Sequence, residues 1–194
     1  MIKKAFTLAE VLLVIAIIGT VAALTIPNLM DNYSEDYTVT QLRKLKNEFD
    51  TAQQKAILKY GDDSKNNATY LMEFLDVTAN GSDIKFPLST YNGTSYDKYE
   101  LKDGTIVSIY KNTNKIIRIA LDGIKGNTIG KHIFQFNLSD GKINPLGFNA
   151  DKNADNSLNL TTNLYGTNWA ISIGNLDYLK CKSSLNWVNK TSCD

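Results

Sequence analysis

The residue whose chemistry most needs an explanation is Glu10, because it is the single charged side chain in an apolar run. The run extends from Phe6 to Ile26 and reads FTLAEVLLVIAIIGTVAALTI. As a helix it would be about 31 Å long, close to the thickness of the hydrocarbon core of a bilayer. A carboxylate in such a segment costs about 3 kcal/mol even on lenient insertion scales. Glu10 is therefore expected to have a positive partner, unless it reaches the interface or is protonated.

A possible set of metal ligands lies much later in the chain. Asp151, Asn153 and Asp155 place oxygen atoms at alternate positions, as a calcium-binding loop does. The sixth position of that pattern lacks glycine, and Thr162 stands at the twelfth, where an acid is needed. The segment is therefore either a calcium site or a solvated turn, and no other cofactor is predicted.

Cys181 and Cys193 are the two cysteines of the chain, and His132 is its one histidine. Without a C-x-x-C pair these residues make a poor zinc site, so a disulfide is expected in an oxidising compartment. The closed loop would either staple the last segment to the domain or serve as an exposed recognition loop. His132 has no arranged nucleophile or carboxylate, and no phosphate-binding loop is present, so enzymatic activity is not expected.

The C-terminal tail carries Lys180, Lys182 and Lys190 around Trp187. Basic and aromatic side chains together occur in single-strand DNA sites, although a Trp near a disulfide also packs as core. The net charge of the whole chain is +1. Because no strong basic field exists, DNA is not expected to be the main partner.

Charge around the apolar run predicts its orientation. Two lysines precede it and three acids follow it: Lys3, Lys4, Asp31, Glu35 and Asp36. By the positive-inside rule the short end lies in the cytoplasm and everything after residue 27 lies outside. A secretory signal peptide is one alternative, but this run is longer, holds an acid and lacks an A-x-A-like cleavage site. An ordinary signal anchor is another, and it leaves the acid unexplained.

The start of the chain resembles that of a known family. The sequence KKAFTLAE from Lys3 to Glu10, followed by an apolar run that closes with ALTIP at Pro27, is similar to the N-terminus of type IV pilins and type II secretion pseudopilins. The close match covers about 25 residues, with weaker similarity to about residue 60. One departure is Ala5, where the family usually has glycine.

The resemblance implies a maturation step and an assembly step. A prepilin peptidase would remove residues 1–5 by cutting between Ala5 and Phe6, and Phe6 would be N-methylated. The new α-amino group is largely protonated near neutral pH. In the filament of such a family it faces Glu10 of a neighbouring subunit, and this pairing sets the register.

The implied product is a type IV pilus or a type II secretion pseudopilus. Its subunits, copies of this chain and related pilin-like proteins, would leave the inner membrane at an assembly platform for a periplasmic or extracellular filament. Two other functions are possible: a minor pilin or competence subunit whose head binds DNA or a surface ligand, and a membrane-anchored binding domain that does not polymerise.

The elements that position these residues begin with one long helix, from about Phe6 to Tyr60. Residues 6–27 form its membrane or filament-core half and residues 28–61 its amphipathic outer half. Gly61 is a suitable stop, and Pro27 is an expected kink. Apolar residues recur at intervals of three and four in the outer half: Val39, Leu42, Leu45, Phe49, Ala52 and Ala56.

Residues 62–194 are predicted to form a globular head. A short helix is expected at Thr69–Leu75, and strands at Thr105–Tyr110, Ile116–Leu121 and Ile133–Leu138. Residues 122–127 are either a turn or a local oxygen network. The predicted class is α+β, with the long helix packed on a small antiparallel sheet whose second face is wet.

Overall fold

A computed structural model describes residues 7–121, 123, 125–147 and 162–193 of the chain. Within these ranges there are three α-helices: α1 (Leu8–Tyr60), α2 (Gly166–Ser172) and α3 (Tyr178–Cys181). There are also six strands: β1 (Val77–Asn80), β2 (Tyr96–Leu101), β3 (Ile106–Tyr110), β4 (Ile116–Ala120), β5 (Ile133–Ser139) and β6 (Lys142–Pro145). The α+β class, with a long N-terminal helix on an antiparallel sheet, is confirmed.

Helix α1 has 53 residues and is therefore about 80 Å long. Its backbone remains helical through Pro27, the position at which a kink was expected. It ends where the sequence predicts, since Gly61 follows with a φ of 63°, a left-handed conformation that glycine adopts easily. The membrane-length half and the outer half thus belong to one continuous element.

The outer half of α1 supplies one wall of the main core. All six apolar residues predicted for its inner face are buried: Val39, Leu42, Leu45, Phe49, Ala52 and Ala56. Phe49 meets Phe136 of β5 edge to face, with ring centroids 5.8 Å apart. This is one of the preferred aromatic geometries. Burial of this stripe fixes the head on the helix.

The sheet is an antiparallel meander in the order β1-β2-β3-β4-β5-β6. The three predicted strands match β3, β4 and β5 to within one residue at either end. The sequence predicted three strands, whereas the sheet of the described residues has six, because β1, β2 and β6 extend it at both edges. The helix expected at Thr69–Leu75 is present as a 3-10 helix, Ala68–Phe74.

The second face of the sheet is not simply wet, as the sequence had predicted. A smaller apolar cluster lies on it, formed by buried residues of three strands and two connecting segments: Phe86, Ile106, Ala120, Ile133 and Leu164. The chain after β1 folds back over the sheet and brings Phe86 to this cluster. Both faces of the sheet therefore exclude water over part of their area.

Candidate functional site: an uncovered apolar helix and a fastened tail

The apolar half of α1 has no protein cover. From Leu8 to Ile26 the helix is long and apolar enough to cross a membrane, and none of these residues is buried. Leu8 is 78% exposed and Leu24 is 76% exposed. A surface of this kind is not stable in water, since soluble monomers rarely expose large contiguous apolar patches. By its length and composition this helix could therefore span a membrane.

Glu10 lies at the start of this surface and forms a capping box with Thr7. Its Oε2 atom accepts hydrogen bonds from the Thr7 backbone N–H at 2.8 Å and from the Thr7 hydroxyl at 2.9 Å. The Glu10 backbone N–H in turn donates to Thr7 Oγ1 at 3.3 Å. A carboxylate here also interacts favourably with the positive end of the helix dipole. This capping box was not predicted, although the sequence T-x-x-E at residues 7–10 is the usual signature of a capping box.

The capping box leaves part of the Glu10 carboxylate unused. Both bonds from Thr7 go to Oε2, and within the described residues Oε1 accepts no hydrogen bond. No ion pair joins Glu10 to a basic side chain of that same part of the chain. Among the described residues Glu10 therefore meets no positive partner. The expected cleavage and methylation positions, Ala5 and Phe6, lie outside the described residues.

The predicted disulfide is present. Cys181 and Cys193 are joined, with 5.7 Å between their Cα atoms. The backbone N–H of Cys193 donates to Oδ2 of Asp177 at 3.0 Å. Trp187 lies within the closed loop and packs edge-on against the fully buried Trp169, with centroids 4.7 Å apart. The loop therefore works as a staple that fastens the tail to the head, although Val188 within it stays exposed.

Two members of the basic patch of the tail, Lys180 and Trp187, make contacts within the chain, while Lys182 and Lys190 are exposed. Lys180 pairs with Glu35 of α1 at 2.6 Å and lies 3.9 Å from Asp177. Trp187, its aromatic member, is packed as described above. His132 accepts a hydrogen bond at Nδ1 from the backbone of Thr128 at 3.4 Å, which gives it a local role in its loop.

The candidate calcium ligands Asp151, Asn153 and Asp155 lie outside the described residues. Elsewhere, in residues 7–147 and 162–193 as far as they are described, no three acidic, histidine or cysteine side chains form a metal-binding group. Near the tail, the buried Tyr178 donates its hydroxyl to the Gly130 carbonyl, and burial raises the pKa of this phenol well above its usual range. These groups hold the head together.

Comparison with known proteins identifies no relative, since no family model, curated protein or solved structure matches the chain. The resemblance to pilins therefore rests on the sequence itself, closely over residues 3–27 and more weakly to about residue 60.

Proposed function

We propose that this chain is a pilin-like structural subunit that polymerises into a type IV pilus or a type II secretion pseudopilus. One observation carries the proposal. The same continuous helix that forms a wall of the head core extends as an uncovered apolar rod with a single acid at its start. A membrane anchor alone would need the apolar length but not the acid.

Assembly then depends on the chemistry of Glu10. Cleavage before Phe6 creates an α-ammonium group close to Glu10 in sequence. In a bundle of parallel helices shifted by about one turn, the ammonium of one subunit meets the carboxylate of the next. Two charges that are each unfavourable in an apolar medium become tolerable as a hydrogen-bonded pair. Because Thr7 bonds only to Oε2 of Glu10, the Oε1 atom is available to accept a hydrogen bond from that ammonium group.

Packing supplies the rest of the driving force. Lipid is as apolar as a neighbouring helix, so leaving the membrane must be favoured by close helix packing and by the Glu10 pair. The contact is between different surfaces of identical subunits. Because such a head-to-tail contact need not close into a ring, it produces an open helical fibre.

The proposed function also implies a cellular location and an orientation in the membrane. Before assembly it is a single-pass protein of the inner membrane with its N-terminus in the cytoplasm and its head outside, in accord with the flanking charges. The Cys181–Cys193 disulfide is consistent with an oxidising compartment for the head. Prepilin peptidase and an inner-membrane assembly platform are its partners.

The first test is mass spectrometry of the mature N-terminus in the native host. The expected chain begins at methylated Phe6, and an Ala5→Leu variant keeps its leader because the bulkier residue blocks cleavage. A wild-type protein that begins at Met1 would instead identify a membrane-anchored domain that does not polymerise.

The second test concerns Glu10. The Glu10→Gln variant keeps the size of the side chain and removes its charge, while Glu10→Asp keeps the charge on a shorter stem. Both are expected to insert into the membrane as the wild type does. Glu10→Gln should give no filaments by electron microscopy, and Glu10→Asp should retain some. Normal filaments from Glu10→Gln would contradict the pairing.

A further inference from the structure

A row of polar side chains crosses the second face of the sheet, on the side away from α1. The strand register places Lys98 of β2 opposite Ser108 of β3, Ser108 opposite Arg118 of β4, and Arg118 opposite Gln135 of β5. Residues opposite one another on antiparallel strands point to the same face. With strands about 4.8 Å apart, Ser108 lies midway between two cations that are about 10 Å apart at their Cα atoms.

This row is buried. Lys98 is 5% exposed, Ser108 is 0% exposed and Gln135 is 6% exposed. The guanidinium carbon of Arg118 lies 4.2 Å from the ring centroid of Tyr91. Tyr91 belongs to a short 3-10 helix, Ser89–Tyr91, that covers the row. A stacked tyrosine satisfies the face of the guanidinium but none of its N–H groups.

Several donors in the row have no acceptor. Nε and Nη1 of Arg118 and the hydroxyl oxygen of Ser108 are buried without a hydrogen-bond partner. Lys98 donates to two carbonyl oxygens, those of Ser82 at 3.1 Å and Asn92 at 3.4 Å, and an ammonium has a third N–H to donate. Buried polar groups in native proteins are nearly always bonded, so this concentration of unused donors needs an explanation.

The row also lacks a counter-charge. Within the described residues neither Lys98 nor Arg118 has a carboxylate within ion-pair distance. Asp97 points to the other face and pairs with Lys111 at 3.2 Å. Glu100, two residues further along the face of Lys98, is exposed. The buried ammonium of Lys98 and the buried Nε and Nη1 atoms of the half-buried Arg118 are unfavourable unless something negative joins them.

We propose that Lys98, Ser108 and Arg118 form a binding site for a small oxyanion, the carboxylate, sulfate or phosphate group of a ligand, centred above Ser108. The oxygens of such a group accept the unused N–H and O–H donors from both sides, and charge-assisted hydrogen bonds of this kind are about twice as strong as neutral ones. The anion also neutralises the two cations. This site is independent of the apolar helix.

A route to the site lies beside Lys98. A cavity of about 470 Å³ is lined by Tyr96 and Lys98 of β2 and by the loop from Asn92 to Thr94, and the ion-paired Asp97 and Lys111 also lie on its wall. Neither Ser108 nor Arg118 lines this cavity, so the proposal requires Tyr91 to move off Arg118 before an anion entering beside Lys98 reaches Ser108. The ligand then occupies the space between the sheet and the Ser89–Tyr91 helix.

The test uses the purified full chain in detergent micelles, titrated with sodium acetate, sulfate or phosphate at an ionic strength held constant with sodium chloride. The Arg118 Nε–H resonance and the melting temperature are followed. A saturable shift of both is expected for the wild type and for Lys115→Gln, a control that removes an exposed lysine elsewhere on the sheet. A response to acetate alone assigns a carboxylate ligand, and a response to sulfate and phosphate assigns a tetrahedral one.

Two variants separate binding from folding. Arg118→Gln should lose the saturable response. Ser108→Ala removes a buried hydroxyl that has no partner in the unliganded protein, so its melting temperature without anion should equal or exceed that of the wild type. Its affinity for the anion should nevertheless fall by about threefold to tenfold. Equal affinity in Ser108→Ala and wild type, or no saturable response to any of the three anions at millimolar concentration, would overturn the proposal.

Discussion

Lys180 in the C-terminal tail pairs with Glu35 of α1: the lysine Nζ lies 2.6 Å from Oε1 of the glutamate. Glu35 belongs to α1 just beyond its apolar half, and its side chain is only 18% exposed. Lys180 precedes the first cysteine of the disulfide. The pair therefore fastens the disulfide-closed tail to the helix at the base of the head.

Removing this ion pair should loosen the tail slightly. Lys180→Met keeps the aliphatic stem and removes the charge, and it should lower the free energy of unfolding by about 0.5 kcal/mol because half of the lysine is exposed. The exposed Lys182→Met is the matched control and should change stability less. Urea unfolding in detergent at low and high salt measures the effect. A difference between Lys180→Met and wild type that does not shrink in high salt would argue against an electrostatic contact.

The disulfide should contribute much more. Replacing both Cys181 and Cys193 by alanine reopens a loop of 12 residues and should lower the free energy of unfolding by about 3 kcal/mol on the chain-entropy model. Reductant should destabilise the wild type by a similar amount and leave the double variant unchanged. If reductant has no effect on the unfolding of the wild type, the staple role assigned to this loop is wrong.

The stripe on α1 can be tested with two leucines of the same helix. Leu42 is fully buried, whereas Leu58 is 87% exposed. Leu42→Ala should lower the free energy of unfolding of the head by about 3 kcal/mol, because it removes buried methyl groups and leaves a cavity. Leu58→Ala should stay within about 0.5 kcal/mol of wild type. Chemical denaturation followed by tryptophan fluorescence distinguishes them, and equal losses would mean that the helix packs on the sheet by another face.

Gly166 packs so closely against Tyr178 that we expect even one added methyl group at residue 166 to destabilise the head. A Cβ at residue 166 would overlap the ring of Tyr178, which is itself fully buried. Gly166→Ala should therefore lower the free energy of unfolding by about 2 kcal/mol through overpacking. Gly93→Ala, where nothing lies within 4 Å of the new atom, is the control and should be nearly neutral. A neutral Gly166→Ala would show that Tyr178 can move aside.

The capping box predicts a positioning role for Thr7. Thr7→Ala removes the hydroxyl that bonds to both the backbone and the carboxylate of Glu10, while Thr7→Ser retains it. Loss of an N-cap costs about 1 kcal/mol, so amide exchange at Glu10 should become about fivefold faster in Thr7→Ala only. Under the proposed function, filament yield should fall in the same variant. Unchanged exchange in Thr7→Ala would exclude the capping box.

The outer half of α1 could be predicted from the sequence because its burial is periodic: Leu42, Leu45 and Phe49 follow the helical repeat. The central strands could be predicted for another reason. β3 and β5 are buried on both faces, so they appear in the sequence as short apolar runs, and clear turns separate these runs.

The three strands that were not predicted, β1, β2 and β6, lack a clear apolar run. Three of the four residues of β1 are exposed, so it carries almost no apolar signal. In β2 the charged Lys98 points to a buried row, which reverses the expected relation between polarity and exposure. β6 has four residues and ends at Pro145, at the edge of the sheet, where a proline is tolerated.

The candidate site was predictable only in part. An acid in an apolar run is conspicuous, and the disulfide follows from the count of cysteines. The polar row of Lys98, Ser108 and Arg118 was not foreseen, because its members come from three strands and meet only through the register of the sheet. Partners for Glu10 outside the chain cannot be read from one sequence at all.

The unbroken course of α1 makes the chain behave as a lever. About 80 Å of helix separates its first turn from its last, so a tilt of only about 10° at the apolar end swings the opposite end through about 14 Å. Under the proposed function, small changes in the tilt between neighbouring helices would therefore be magnified at the outer surface of the fibre, where they would alter its pitch and diameter.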